Sequence, residues 1–570
     1  MIMMTKRHKF HNKAFAGLSR LLLYSSAPLL LSSCNDFLDI LPLNEVVLEN
    51  YWTEKADVNS VLNSCYETLE HSDALTRMGI WGELRSDNLM AGDNVPTEVS
   101  EILKENLQPS NPYCKWDKIY ECINRCNTVC HYAPKVQAID PNYREEEMRA
   151  NVAEAIALRS LSYFYLIRTF RDVPYSTRPS IDDTQSYVLP ATPFDAVLDS
   201  LITSLEQVKD DAVRRYYTDD SPNAWQNSSK ITRWAIYALL ADLYLWKGDW
   251  NNSIRYCDLV IDQKRKQYEE LLQREGSQPN MDLIDSIPMI LEAPLGTTNC
   301  GNSYTEIFGT GNSFESIFEL YFSKNQEQKN TWVDSYYGNR DSRGRLSANS
   351  LMLMDVVKNT NSLFKRSDGR FYAATKTSGS SLTIAKYVRT SVSFTTKNVT
   401  SESDLHLTDD MRQNADKDAH WIIYRLSDML LIKAEALIER AQDGDFDAAF
   451  DLINVVNKRA NNLTATLKKE DYISSKKQME DLLMEERQRE FIYEGKRWYD
   501  LVRRSRRDGN TISLVAAVQN KFEENSNAIR IRLSDPNIIY FPYAKSELKV
   551  NPLLTQNPAF TNGEDSQYSR

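Results

Sequence analysis

The chain has 570 residues, 42% of them hydrophobic, and a net charge of −11. Five cations (Lys6, Arg7, Lys9, Lys13, Arg20) and no acid fall in the first 33 residues, so the remainder carries 63 cations against 79 carboxylates, a net charge of −16. A body this acidic repels phosphate backbones, which excludes nucleic acid as a partner, and it argues against membrane attachment through a basic patch.

In chain order, the basic stretch Lys6–Arg20 precedes the apolar run Leu21–Leu31. That run is too short for a spanning helix, which needs about 20 residues, so the pattern reads as a secretory signal. It ends in Leu31-Ser32-Ser33-Cys34, which resembles a bacterial lipobox. The expectation is removal of residues 1–33 and lipid attachment at Cys34, where several acyl chains on one residue give stable anchoring.

Cys122, Cys126 and Cys130 follow at i, i+4, i+8, along one helix face. Such a straight row does not converge on a metal, and small apolar packing is the expected role; no metal and no cofactor are expected. Helical spacing of Leu158, Leu161, Tyr165 and Leu166 predicts a helix over 145–171 that stops before Pro174. Ile231, Trp234, Ala238, Ala241 and Leu245 predict another over 231–247, broken at Gly248-Asp249 and followed by a partner carrying Ile254, Cys257 and Ile261. This helical hairpin resembles a tetratricopeptide unit. Near the C-terminus, 424–441 predicts a helix ended by Gly444, Phe446–Val456 line the next, and 470–504 holds a further helix with Glu485-Glu486-Arg487-Gln488-Arg489-Glu490. Such pairs must stack to bury their apolar faces, so a helical scaffold built from both ends of the chain is expected. The middle, 266–410, is rich in Gly, Ser, Thr and Asn and carries short apolar alternations such as Ser316–Phe322. It reads as a loop-rich, ligand-facing insert with a few short strands.

Several segments together resemble the SusD/RagB family: Cys34-Asn35-Asp36-Phe37-Leu38-Asp39 with Tyr51-Trp52-Thr53, Asp172-Val173-Pro174-Tyr175, Phe314–Glu319, Tyr424–Asp428 with Ala434-Glu435-Ala436, Glu486–Leu501, Tyr540-Phe541-Pro542 and Asn557–Phe560. Asp428 departs from the family's frequent Glu, and Tyr540–Tyr543 from a shorter Pro-rich form. The resemblance implies a mainly α fold, a SusD-like α-α superhelix of tetratricopeptide-like helix pairs carrying the insert. Its regions would be 34–265, 266–410 and 411–570, with 34–570 one compact unit. It also implies a role: a lipoprotein on the outer face of the outer membrane that binds an oligosaccharide or peptide and delivers it to a SusC-like TonB-dependent barrel.

Glu485, Glu486 and Glu490 invite a catalytic reading, but they alternate with Arg487, Arg489, Arg497, Arg503 and Arg504, the pattern of an ion-paired helix. No catalytic residue is expected, and no metalloprotease, nucleophile-elbow or phosphate-loop motif occurs. Sugar recognition needs an aromatic platform for the C–H face of the ring and planar polar groups for the hydroxyls. Trp81, Arg85, Asp87 and Asn88 supply both within eight residues, and Trp332, Tyr336 and Tyr337 add aromatics in the insert. These are the expected ligand-binding residues. A tetratricopeptide-type protein scaffold and a surface glycoside hydrolase are the alternatives; the aromatic insert speaks against the first, and the second requires two carboxylates across a cleft.

Overall fold

The computed structural model describes residues 51–181, 188–219, 221–274, 280–352, 363–378, 381–395, 401–522 and 526–561. Cys34 and the segment before it lie outside the described residues. From Trp52 onward the chain forms a single unit.

Eleven helices matter for the scaffold: α1 (Lys55–Glu70), α2 (Ser72–Gly79), α3 (Asp117–Gln137), α4 (Glu145–Phe170), α5 (Phe194–Val208), α6 (Arg233–Lys247), α7 (Trp250–Leu272), α8 (Leu426–Arg440), α9 (Asp445–Ala460), α10 (Lys476–Phe491) and α11 (Arg497–Asp508). Local chemistry sets several of the ends. Thr232 caps α6 by accepting from the Ala235 N–H, Gly248 closes it at φ 81°, and Asp249 caps α7 by accepting from the Asn252 N–H. In space, α1 lies on α3, α3 on α4, α4 on α5, α5 on α6, α6 on α7, α7 on α8, α8 on α9, and α10 on both α8 and α9. The α7–α8 contact joins the two ends of the sequence across the insert, so the fold is the expected mainly helical stack.

The insert contributes short antiparallel pairs rather than a continuous sheet. Four strands bear on the site and its support: β1 (Leu89–Ala91), β2 (Ser316–Leu320), β3 (Leu346–Ala348) and β4 (Trp421–Arg425). β1 pairs with β3, setting Leu89 opposite Ala348 and Ala91 opposite Leu346. β2 pairs with β4 through a bulged register, Trp421 opposite Leu320 and Arg425 opposite Ser316.

Three helix expectations shift. Tyr424 and Arg425 belong to β4, not to the helix after it, because β2 takes up their backbone groups; Asp428 then accepts from the Arg425 N–H at 2.9 Å and starts α8. α8 ends at Ala441 (φ 51°), while Gly444 starts α9. The single helix expected within 470–504 is two, α10 and α11, separated by a turn with Tyr493 at φ 64° and Gly495 at φ 71°.

On α3, Cys122 and Cys126 face Cys65 of α1: the Cys122 thiol donates to the Cys65 carbonyl at 3.5 Å and lies 4.0 Å from the Cys126 sulfur. Burial pushes the Cys126 thiol well up, so these side chains pack as small neutral groups. Among the described residues no group of His, Cys, Asp or Glu has the arrangement of a metal site, and no helix is long and apolar enough to cross a membrane.

Candidate functional site

The two segments expected to bind ligand do meet. α2 runs into a wide π-type turn, Ile80–Leu84, and the chain then bends through Arg85–Asn88 into β1. Trp332 starts a similar turn, Val333–Tyr337, that leads toward β3. Gly79 allows the contact, since a Cβ there would sit 2.3 Å from the Trp332 ring. The Tyr113 and Tyr336 hydroxyls bond at 2.8 Å, and the β1–β3 pair closes the junction.

The side chains named from sequence, however, point into this junction rather than out of it. Trp81 is fully buried, its indole N–H donates to the Tyr113 carbonyl at 2.8 Å, and its ring lies edge-on to Phe170. Arg85 pairs with Glu105, donates to the carbonyls of Ile538 and Ile539, and stacks 4.3 Å from the Trp498 ring centroid. Asp87 accepts two hydrogen bonds from Arg497, both at 2.9 Å, and one from Gln488. Asn88 donates to Glu83 at 2.6 Å and accepts from Gln488 at 2.8 Å. Trp332 stacks on Tyr336, and the Tyr337 hydroxyl donates to the Tyr493 carbonyl. The expectation of an outward-facing ligand platform is therefore corrected: these residues hold α2, the insert and α11 together, their polar groups bonded inside the protein except for the Trp332 indole N–H, which is buried without a hydrogen-bond partner among the described residues.

What the junction presents outward is a different set. Asp93 and Asn94 follow β1, Asp334 and Ser335 lie on the outer side of the π-type turn, and Asn339, Ser342, Arg343 and Arg345 come from the turn before β3. With Asn414 they line an open bowl of about 350 Å³. The Asn339 amide donates to Asp334 at 2.8 Å, and its oxygen accepts from the N–H groups of Asp341 and Ser342, which fixes the rim. Lys417 pairs with Asp334 at 3.0 Å. Arg345 lies 5.7 Å from the Tyr336 ring centroid, so the buried aromatic stack supports an exposed guanidinium. The turn 339–343 also borders a second depression of about 220 Å³, lined by Lys376, Thr383, Ile384 and Met411. Sequence reasoning missed all of these residues; the signals that could have found them are the turns Gly92-Asp93-Asn94 and Asn339–Gly344.

The acid-rich segment 485–504 lines two small cavities of about 30 Å³ each, room for little more than water. Arg425 holds Glu490 at 2.5 Å and Glu494 at 2.8 Å, Arg459 joins Glu490 to Glu315, and Arg370 reaches Glu486 at 2.8 Å and Glu490 at 3.0 Å. Burial alone would raise these carboxyls, but Arg425, Lys386 and Lys496 hold Glu494 down to about 2, and Arg459, Arg425 and Arg370 hold Glu490 well below its usual range. Glu490 and Glu494 therefore stay ionised near neutrality.

The fold is thus a stack of helix pairs carrying a polar, loop-built face. Similarity to known proteins makes this specific: the model described as "SusD family" matches residues 303–560, and one described as "Starch-binding associating with outer membrane" matches 36–245. SusD-like protein P38 of Formosa agariphila is 24% identical over 508 residues, covering 83% of this chain and 88% of the relative. A SusD superfamily protein of Bacteroides thetaiotaomicron superposes with TM-score 0.61 at 19% identity, covering 90% of this chain and 99% of that one. A structure described as a laminarin-binding SusD-like protein gives 0.58 at 18% identity, over 89% and 100%. The chain belongs to the SusD/RagB family.

Proposed function

We propose that this protein binds an oligosaccharide at the outer-membrane surface, in the bowl above β1 and β3, and delivers it to a SusC-like TonB-dependent barrel without cleaving it. The observation that carries the reading is the bowl itself, where carboxylates, amides and guanidiniums converge with no enclosed apolar floor. Sugar hydroxyls both donate and accept, and planar groups of this kind serve them in pairs. The neighbouring depression beyond the 339–343 turn gives the site the extended form an oligomer needs. Starch association of one matching family model and laminarin binding by a structural relative support a glycan over a peptide. Anchoring through Cys34, facing outward, is part of the same proposal and rests on the short apolar run before it. A non-catalytic role is supported by the buried, ion-paired carboxylates of Glu490 in α10 and Glu494 in the turn after it.

The test is affinity electrophoresis in gels containing laminarin or starch. The wild-type protein is expected to be retarded by at least one glycan, and Arg345→Ala with Asn414→Ala is expected to weaken that retardation. Retardation unchanged in the double variant would remove the bowl from the site. Release of shorter sugars from the glycan would overturn the non-catalytic reading.

A further inference from the structure

A third depression lies on the helical scaffold and shares no residue with the bowl or with the depression beside it. It is a groove of about 320 Å³ between α7, the N-terminal end of α6, the segment before it and the chain entering β2. That is near the lower end of ligand-pocket sizes, roughly 300–1,000 Å³. Three aromatic side chains line it: Trp225, Trp234 and Phe314. Trp225 is stacked on Tyr321, with centroids 4.2 Å apart and planes at 20°, so one face of the indole is backed and the ring is held ready. The Trp234 indole N–H donates to the Arg214 carbonyl at 3.0 Å, which fixes the second ring. Lys264 donates to the carbonyls of Phe314 and Ser316 and ties the strand-side wall to α7.

The polar side of the groove is as distinctive. Gln263 and Gln267 stand one turn apart on α7, line the groove, and have no side-chain hydrogen-bond partner among the described residues. Asp219 and Arg215 pair with each other at its edge, while Arg214, also on the lining, is exposed and forms no ion pair among the described residues. Rigid aromatic faces beside two unoccupied amides match a neutral, hydroxyl-rich ligand: rings take the C–H face, and each amide offers a donor pair and an acceptor.

We infer that the Trp225–Trp234–Phe314 groove is a second oligosaccharide site, separate from the bowl. The inference rests on the glycan reading above and adds a place for a further stretch of the same chain, or for a second chain. Two sites on one long polysaccharide raise avidity without any new contact.

The experiment compares four forms of the folded protein in laminarin and starch gels: wild type, Trp225→Ala, Gln263→Ala/Gln267→Ala, and Arg345→Ala/Asn414→Ala. The glutamine pair is half-exposed on a helix surface, so it tests the groove without risk to the fold. Loss of about tenfold in affinity for both groove variants, with the bowl intact, is the expected result. Wild-type affinity in both groove variants, with loss in the bowl variant, would overturn the second site and leave the first. Loss in the groove variants alone would keep the second site and overturn the bowl. No retardation of the wild type by either glycan would overturn both.

Discussion

Around Glu490, arginines and carboxylates are enclosed; around Arg345, the same residue types stand open to water. The enclosed cluster joins Arg425, Arg459, Arg370, Glu494 and Glu315 from β4, α9, the insert, the turn after α10 and the start of β2, so it fastens the insert to the helical stack. The open bowl draws on segments just as far apart in sequence but leaves its groups facing outward. Taking charges out of water is costly unless geometry and hydrogen bonds compensate, so the enclosed set is committed to structure. Within the open set, Arg345 and Asn414 are exposed, form no ion pair or side-chain hydrogen bond among the described residues, and carry no such cost. Residue type alone does not separate site from scaffold; the surroundings do.

The comparison is broken most severely from the inside. Arg425→Ala leaves Glu494 buried without its main partner and Glu490 with one partner fewer, and is expected to cost about 3–5 kcal/mol, read as a lower urea midpoint. A loss below about 1 kcal/mol would mean that the cluster is dispensable to the fold.

Acid is expected to act next. Glu494 is held at about 2 in the folded protein, below its unfolded value near 4.3. Its contribution is therefore complete above roughly pH 5 and is lost as pH falls toward 2, about 3 kcal/mol over that window. Glu83 acts in the opposite sense: burial pushes it up to about 7, so its contribution is lost as pH rises from roughly 4.3 to 7. Urea midpoints measured from pH 2.5 to 8 should show a shallower acid limb in Glu494→Gln, with Glu490 and the other depressed carboxyls supplying the rest, while Glu83→Gln should flatten the decline toward neutrality. Unchanged limbs would mean that other groups set the pH dependence.

Gly79→Ala probes the joint between the scaffold and the bowl. The added methyl would meet the Trp332 ring at 2.3 Å, and overpacking of this kind costs about 1–3 kcal/mol. Because Trp332 underlies Tyr336 and hence Arg345, glycan retardation should weaken as well. A loss of stability with full retention of binding would detach the bowl from its foundation.

Much of the scaffold was legible because helix signals are local: the period of Leu158, Leu161 and Tyr165, the Gly248 stop and the Asp249 cap all act within a few residues. β4 was not, because Trp421-Ile422-Ile423-Tyr424-Arg425 is buried on both faces and shows no alternation, and no breaker separates it from α8. The site was legible by segment and not by side chain. Positions 81–88 and 332–337 do come together, but aromatic and charged groups signal burial and binding alike. Asp93, Asn94, Arg345 and Asn414 form no local pattern, since folding alone brings them together. Trp234 shows the reverse error: its helical spacing placed it with the core of α6, whereas it lines the groove.

The smallest effect on stability should come from the bowl, and there its smallness is informative. Arg345 and Asn414 are exposed, and among the described residues neither forms an ion pair or a side-chain hydrogen bond. Removing both side chains should change the unfolding free energy by no more than about 0.5 kcal/mol, as surface substitutions do. Trp332→Ala, at the buried base of the same site, should cost about 3–5 kcal/mol. If binding is lost in both, thermal unfolding separates the causes: the bowl variant keeps the wild-type midpoint and has lost contacts with the glycan, while the Trp332 variant melts early because the support beneath them has gone. A bowl variant that also melts early would place Arg345 and Asn414 with the scaffold and end the distinction between the open set and the enclosed one.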